Sequence, residues 1–162
     1  MRLNSLHRLR EIAESHAETA ASHLGGLNRK LMEQQEKLEL LIRYREEYER
    51  RFRASTDSGV NAAGLRNFIR FLDKLDEAIT QQNEQVAIAR GHAQQGRDDW
   101  QSKEIKSKAF DTLTQKSEAV AQRRDAVLKQ KAQDEFAVRT AERRHDAGLH
   151  ATTRSSHNRR ST

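Results

Sequence analysis

The sequence contains no cysteine and no proline. Without cysteine, disulfides and cysteine-ligated metal sites are excluded, and a reducing compartment such as the cytoplasm is compatible with the chain. Without proline, a long helix meets no strong interior breaker. Long apolar runs are also missing: none approaches the roughly 20 residues that a membrane-spanning helix needs. We therefore expect a soluble chain, or one that is at most peripheral to a membrane.

Hydrophobic residues are scarce for a chain of 162 residues. They make up 35% of it, charged residues make up 33%, and the mean hydropathy is −1.00. This composition is too polar for a layered globular core, yet the apolar residues are spaced too regularly for disorder. A narrow seam between helices needs little apolar surface per residue. The composition therefore favours an elongated coiled coil.

One stretch of small, polar and glycine residues, 55–64, interrupts the long charged segments. Such a stretch is typical of the turn between two antiparallel helices. It predicts an all-α fold, an antiparallel two-helix coiled-coil hairpin whose second helix is longer. The predicted parts are a first helix over 3–54, a tip over 55–61, a second helix over 62–145, a single domain over 1–147 and a disordered basic tail over 148–162.

Apolar residues of the first segment recur in alternating steps of four and three. Only Gln34 and Arg45 depart from this pattern, and a period of 3.5 sustained over many turns indicates a left-handed supercoil. The predicted seam of the first helix is Ala13, Ala17, Ala20, Leu24, Leu27, Leu31, Gln34, Leu38, Leu41, Arg45, Tyr48 and Phe52.

The second segment carries the same stepping, followed by an apparent shift of phase by one residue. Its predicted seam is Leu65, Phe68, Leu72, Leu75, Ile79, Gln82, Val86, Ala89, Ala93, Gly96, Trp100, Lys103, Ser107 and Phe110, continued after the shift by Leu113, Val120, Val127, Val138 and Ala141. Folding about the tip places residue i opposite about residue 117 − i. Residues from about 117 onward should then project without a partner.

In this register Gly25 and Gly26 would face Gly91. Each glycine inside a helix costs roughly 1 kcal/mol relative to alanine. Two interpretations stay open: a bend or close approach of the helices, or a weakness that a long helix tolerates.

No arrangement of residues indicates catalysis. Gly59 and Gly64 have the spacing of a phosphate loop, but Leu65 and Arg66 stand where Lys and Ser or Thr are required. No two histidines lie four residues apart, as a helical metal site would need. Two thin helices also offer no closed pocket for a nucleophile and its base. We expect no enzyme activity, no metal and no cofactor.

Near the tip there are more apolar residues than a two-stranded seam requires. Five of the eight aromatic residues fall there, and two apolar stripes combine seam residues with Tyr44, Phe71 and Ala78, which lie off the seam. The stripes are Leu41, Tyr44 and Tyr48 in the first helix and Phe71, Leu75 and Ala78 in the second. They form either a wider local core or a self-association surface, or else a surface that docks a partner, since exposed Tyr and Phe are favoured interface anchors.

A series of short motifs follows in a fixed order along the chain. They are L-x-x-L-I-x-Y-x-x-E-Y over 38–48, the small-residue tip, F-x-x-x-L-x-x-A-I-x-Q over 71–81, Trp100, and D-E-F-A-x-R-x-A over 134–141. Each motif alone is weak, but their order and spacing are specific. Over about residues 6–145 the chain resembles the family of the flagellar export protein FliJ.

The resemblance implies a stalk similar to the γ subunit of F-type ATPases. Members of the family sit in the pore of the hexameric flagellar export ATPase, contact the cytoplasmic part of the membrane export gate and associate with flagellar export chaperones. They perform no bond chemistry and serve flagellum assembly and motility. The resemblance thus implies a cytoplasmic protein, peripheral on the cytoplasmic side of the inner membrane.

Two binding surfaces are carried over from the family. The export-gate surface maps onto Lys37, Leu41, Tyr44, Tyr48, Phe71, Leu75, Ala78 and Gln82. Lys37 stands where the family usually has Gln, and Gln82 stands where His is expected. The surface for the ATPase ring maps onto Asp134, Glu135, Phe136, Val138 and Arg139.

Two alternatives remain beside this interpretation. The stalk protein of a virulence-type III secretion system shares the fold, but the flagellar motifs argue against it. A basic coiled-coil adaptor for nucleic acid is the second alternative. Of the net charge of +6, +4 lies from Arg139 onward, so the rest of the chain is nearly balanced. That balance argues against the adaptor, and a basic end is often simply solvated.

Overall fold

A computed structural model of the protein describes residues 3–157, with side chains described through residue 147. It consists of two helices, α1 over Leu3–Thr56 and α2 over Ala62–His157, and contains no strand within the described residues. The two helices pack against each other in opposite directions. The predicted all-α hairpin with a longer second helix is therefore confirmed. No helix in this part of the chain is long and apolar enough to cross a membrane.

The tip is built from a helix end and a helix cap. Gly59 adopts a φ of 89° and donates its backbone N–H to Thr56 O at 3.1 Å. A glycine in this left-handed conformation is a common way to end a helix. Asn61 then starts α2, because its side-chain oxygen accepts the backbone N–H of Gly64 at 2.8 Å. This satisfies one of the free donors at the helix start.

The predicted seam lies between the helices. Its small residues Ala13, Ala17 and Ala20 in α1 are buried, as are Leu75 and Val86 in α2. The remaining α1 seam positions from Leu24 to Phe52 are half-buried. Because the helices bury only this narrow stripe, most other side chains remain exposed. The hairpin thus gains stability along its length rather than from one central core.

The register differs from the predicted one by about three residues. Stacked Phe52 and Phe68 and the ion pairs of Arg10 with Asp111 and of Arg45 with Asp76 place residue i opposite about residue 120 − i. One reason is that α1 continues to Thr56, two residues past its predicted end, which moves the turn along the chain. Pairing therefore extends further along α2, to about Ala121.

The predicted shift of phase after Phe110 is wrong. Thr114, on the unshifted seam, is fully buried, whereas Leu113, Val120 and Val127 are about half exposed. Thr114 tolerates burial because its hydroxyl donates to Phe110 O within the same helix at 2.8 Å. A polar residue thus continues the seam, and the apolar stripe points to solvent.

The predicted meeting of Gly25 and Gly26 with Gly91 is also wrong. Open space surrounds the positions where Gly25 and Gly91 would carry a β-carbon. The close approach occurs instead at Gly96, which is buried, and where a β-carbon would lie only 2.6 Å from Leu27 Cδ1. The observed register explains this, because pairing residue i with about residue 120 − i brings Gly96 opposite the Leu24–Leu27 turn of α1.

Beyond Ala121, α2 runs on without a partner helix. Every described side chain from 122 to 147 is exposed except that of Thr140, which is half-buried. The helix continues to His157, past its predicted end at 145 and into the predicted disordered tail. Only Gly148 disfavours helix strongly there, at about 1 kcal/mol. Residues 158–162 of the predicted tail lie outside the described residues.

Candidate functional site

The distal end of the hairpin holds an aromatic cluster, composed of Tyr44, Tyr48 and Phe52 of α1 with Phe68 and Phe71 of α2. Phe52 and Phe68 stack at 3.6 Å between ring centroids, and Tyr48 lies 5.4 Å from Phe68 and 4.4 Å from Phe71. Aromatic pairs with centroids about 4.5–7 Å apart, such as Tyr48 and Phe68, contribute stability beyond that of the area that they bury. Tyr48, Phe52 and Phe68 therefore join the two helices, as the local-core interpretation required.

Tyr44 has a different position in the cluster. Its ring makes a T-shaped contact with that of Phe71, with centroids 6.1 Å apart, and the residue is 50% exposed. Phe71 is half-buried and contacts both tyrosines. The outer side of the cluster, formed by Tyr44 and Phe71, therefore offers aromatic surface to a partner. The contacts of Tyr48, Phe52 and Phe68 fit the local-core interpretation, and docking of a partner on Tyr44 and Phe71 stays a prediction.

The other residues of the predicted gate surface lie at the same end but differ in exposure. Lys37 is exposed, Leu41 and Ala78 are half-buried, and Leu75 is buried in the seam. Gln82 is engaged across the seam, since its amide donates to Gln34 Oε1 at 2.8 Å and to Gln34 O at 2.9 Å. Leu75 and Gln82 thus hold the helices together, and their role in gate binding stays a prediction.

A charged clasp lies beside the aromatic cluster, and sequence reasoning missed it. The Arg45 guanidinium donates to both carboxylate oxygens of Asp76, at 2.5 and 3.3 Å, and to Glu49 at 3.0 Å. The available signal was Arg45 itself, an arginine at a seam position with an acidic residue four positions later. The clasp links the two helices one turn from Tyr48.

The clasp changes the acidity of its members. The hydrogen bond from Arg45 lowers the pKa of Asp76, and this effect outweighs the partial loss of hydration. The same hydrogen bond raises the pKa of Arg45, so that the guanidinium stays charged. Both groups are solvent-accessible, and the clasp is therefore sensitive to salt and acid rather than a strong source of stability.

The predicted ring-binding residues lie on the unpartnered part of α2. Phe136 is 73% exposed and Val138 is 57% exposed, in surroundings of charged side chains. Glu135 pairs with Arg139 at 3.7 Å, and Asp134 accepts a hydrogen bond from Gln130 at 2.9 Å. These contacts stay within one helix. The five residues therefore form an open surface with two exposed apolar side chains.

The described residues contain no group of three or more His, Cys, Asp or Glu side chains placed to hold a metal ion. Grooves follow the helix surfaces, such as the open one lined by Tyr44, Arg51 and Ser55. The two surfaces that stand out chemically are thus the aromatic cluster and the projecting helix, at opposite ends of the paired region.

Comparison with known proteins agrees with the motifs. The sequence model described as "Flagellar FliJ protein" matches residues 1–146. The flagellar FliJ protein of Escherichia coli (strain K12) is 30% identical over 140 residues, which cover 86% of this chain and 95% of that protein. The flagellar FliJ protein of Salmonella typhi is 32% identical over 142 residues, with the same coverage of both chains. On this evidence of sequence over most of its length, the chain belongs to the flagellar FliJ protein family.

Proposed function

We propose that this chain is the central stalk of the flagellar type III export ATPase ring, and that it links the ring to the membrane export gate. Family membership supports the broader part of this proposal, a component of flagellar protein export. The observation that carries the finer part is the placement of two distinct surfaces at the two ends of one long rod. Such a rod can bind one partner at each end at the same time.

The ring end of the stalk is the projecting part of α2. Within the described residues, the single helix with exposed Phe136 and Val138 has no partner helix, whereas the subunits surrounding a pore would supply one. Fully burying a side chain of this kind is worth about 1.5–3 kcal/mol. Asp134, Glu135 and Arg139 beside them provide both signs of charge for the surrounding subunits.

The gate end is the outer side of the aromatic cluster. Tyr44 and Phe71 present aromatic surface there, and Lys37 adds a nearby positive charge. Truncated interface aromatics commonly cost more than 2 kcal/mol of binding. Leu41 and Ala78 contribute through the surface that they leave exposed.

The stalk performs no bond chemistry in this proposal. It stabilises the ring and couples the ATPase cycle to the gate, which requires that its contacts differ in free energy between the states of ring and gate. Its place is in the cytoplasm, peripheral to the inner membrane where the gate resides. Flagellar export chaperones are further proposed partners.

Truncation tests the ring end. A chain that ends before Asp134 keeps the whole paired hairpin, so we expect it to bind the cytoplasmic gate domain normally but to lose most stimulation of the export ATPase. Full-length Tyr44→Ala is the matched control, for which the opposite pair of results is expected. Normal ATPase stimulation by the truncated chain would show that the ring assignment is wrong.

A further inference from the structure

On the projecting part of α2 one small residue, Ala132, lies midway between two apolar residues and also midway between two residues of opposite charge. Leu128 and Phe136 lie four residues on either side of it, and they are 64% and 73% exposed. Asp125 and Arg139 lie seven residues on either side, with opposite charges and exposed side chains. The order along the helix is therefore acidic, apolar, small, apolar, basic.

These five residues share one face of the helix. With 3.6 residues per turn, positions four and seven residues away from Ala132 fall within about 40° of it around the helix axis. The face is thus a narrow stripe like the seam between α1 and α2, with the smallest side chain at its centre. No residue of α1 lies opposite this stripe, because pairing ends near Ala121.

We infer that the stripe pairs with the same stripe of a second copy of this chain, antiparallel, about a two-fold axis at Ala132. In such a symmetric contact, a residue n positions after the axis meets the one n positions before it in the second copy. Leu128 then shares a layer with Phe136 of the second copy, and Asp125 shares one with Arg139 of the second copy. Each layer occurs twice.

The charges of the stripe favour an antiparallel arrangement, and they favour a second copy of this chain as the partner. Antiparallel pairing brings opposite charges together in both outer layers, and at the edge of the seam it places Glu135 beside Lys131 of the second copy. Parallel pairing would instead set Asp125 against Asp125 and Arg139 against Arg139 of the second copy, and like charges in one layer are repulsive.

The paired stripe is short, about 21 Å from residue 125 to residue 139. Its area falls below that of a standard stable interface, so the dimer is weak and reversible. The inference does not rest on the proposed function, because the chain alone forms the contact. Phe136 and Arg139 belong both to the proposed ring-binding surface and to the stripe that pairs with a second copy. A ring subunit and a second copy therefore cannot bind there at the same time.

Cross-linking tests the position of the axis, and the chain is suited to it because it has no cysteine. In full-length Ala132→Cys, the two thiols meet at the axis within the distance that a disulfide allows. Ala126→Cys is the matched control: it lies about 120° from Ala132 around the helix, and the two thiols are about 18 Å apart along the helix. We expect oxidation to cross-link the first variant much faster, and equal rates for both would overturn the inference.

Charge exchange tests the pairing itself by sedimentation over about a hundredfold range of concentration. Asp125→Arg or Arg139→Asp alone places like charges in both outer layers and should weaken dimerisation about tenfold or more. The double variant should restore it. Arg123→Asp, on the opposite face, makes the same charge change as Arg139→Asp and should leave dimerisation unchanged. A wild-type chain that stays monomeric throughout, or a double variant without recovery, would overturn the inference.

Discussion

Tyr44 and Phe68 are both aromatic residues of the distal cluster, but only Phe68 stacks between the helices. We expect Tyr44→Ala to leave the melting temperature nearly unchanged and to weaken binding of the gate domain by about 2 kcal/mol or more. Phe68→Ala is the matched control and should lower the melting temperature, since removing a stacked ring leaves a gap in the seam. Thermal melts and a gate-binding assay on both variants separate the two roles.

Phe71 is expected to contribute both to stability and to gate binding, because its ring centroid lies 4.4 Å from that of Tyr48 and the residue is only half-buried. Phe71→Ala should therefore lower both the melting temperature and the gate affinity. A melting temperature of Tyr44→Ala well below that of wild type, or a gate affinity equal to that of wild type, would show that the outer side of the cluster is structural. The assignment of the gate surface would then be wrong.

The clasp of Arg45 with Asp76 gives a prediction for acid pH. The pKa of Asp76 is lower in the folded chain than its ordinary value of 3.8. The stability that the clasp contributes is thus fully present above pH 3.8 and is lost as the pH falls below it, through the folded pKa. Since both groups are exposed, the contribution is small.

Melting temperatures of wild type and Asp76→Asn, compared from neutral pH to below 3.8, isolate the clasp from the other carboxylates. The difference between the two proteins should be constant at higher pH and shrink toward zero in acid. Asp73→Asn, one turn away in the same helix, is the control and should show no such pattern. A difference that does not shrink would argue that Asp76 stabilises the hairpin through packing instead.

At the scale of the elements, the heptad pattern predicted which face of each helix is buried, and it could not predict the register. A pattern that repeats every seven residues is nearly the same after a shift by one turn. The register of the two helices is therefore set by specific contacts across the seam. Gln34 with Gln82 and Arg45 with Asp76 make those contacts, and both involve polar residues that look like interruptions of the pattern.

The phase at Thr114 was missed for a related reason. Leu113 is apolar and Thr114 is polar, so hydrophobicity favours the wrong one as the seam residue. The intrahelical hydrogen bond that satisfies the Thr114 hydroxyl is invisible in the sequence pattern. Likewise the aromatic stripes were found from spacing, but neighbouring stripes do not reveal that Leu75 faces inward and Tyr44 faces outward.

Two glycines of α2 give a matched test of the observed register. Gly91 lies in open space, so Gly91→Ala should raise the stability by up to about 1 kcal/mol through helix propensity alone. At Gly96 a β-carbon would have to displace the end of the Leu27 side chain, so Gly96→Ala should stabilise the chain less than Gly91→Ala does. The same stabilisation by both variants would contradict the close packing at Gly96.

The whole molecule is a rod in two unlike parts. From the tip to about Ala121 the helices support each other, and from there to His157 α2 continues alone for roughly 50 Å. A paired region resists bending more than a single helix does. A firm paired region and a single helix that needs support from surrounding proteins suit the proposed stalk.

Shape in solution tests this division. Small-angle scattering at low concentration should show a rod with a longest dimension of roughly 140 Å, the length of α2. A chain that ends after Ala121 should shorten to roughly 90 Å. Its melting temperature should hardly change, because the described side chains from 122 to 147 are exposed, apart from half-buried Thr140. A compact envelope for the full chain would contradict the hairpin, and a large drop in melting temperature on truncation would show that the projecting part of α2 folds back onto the paired helices.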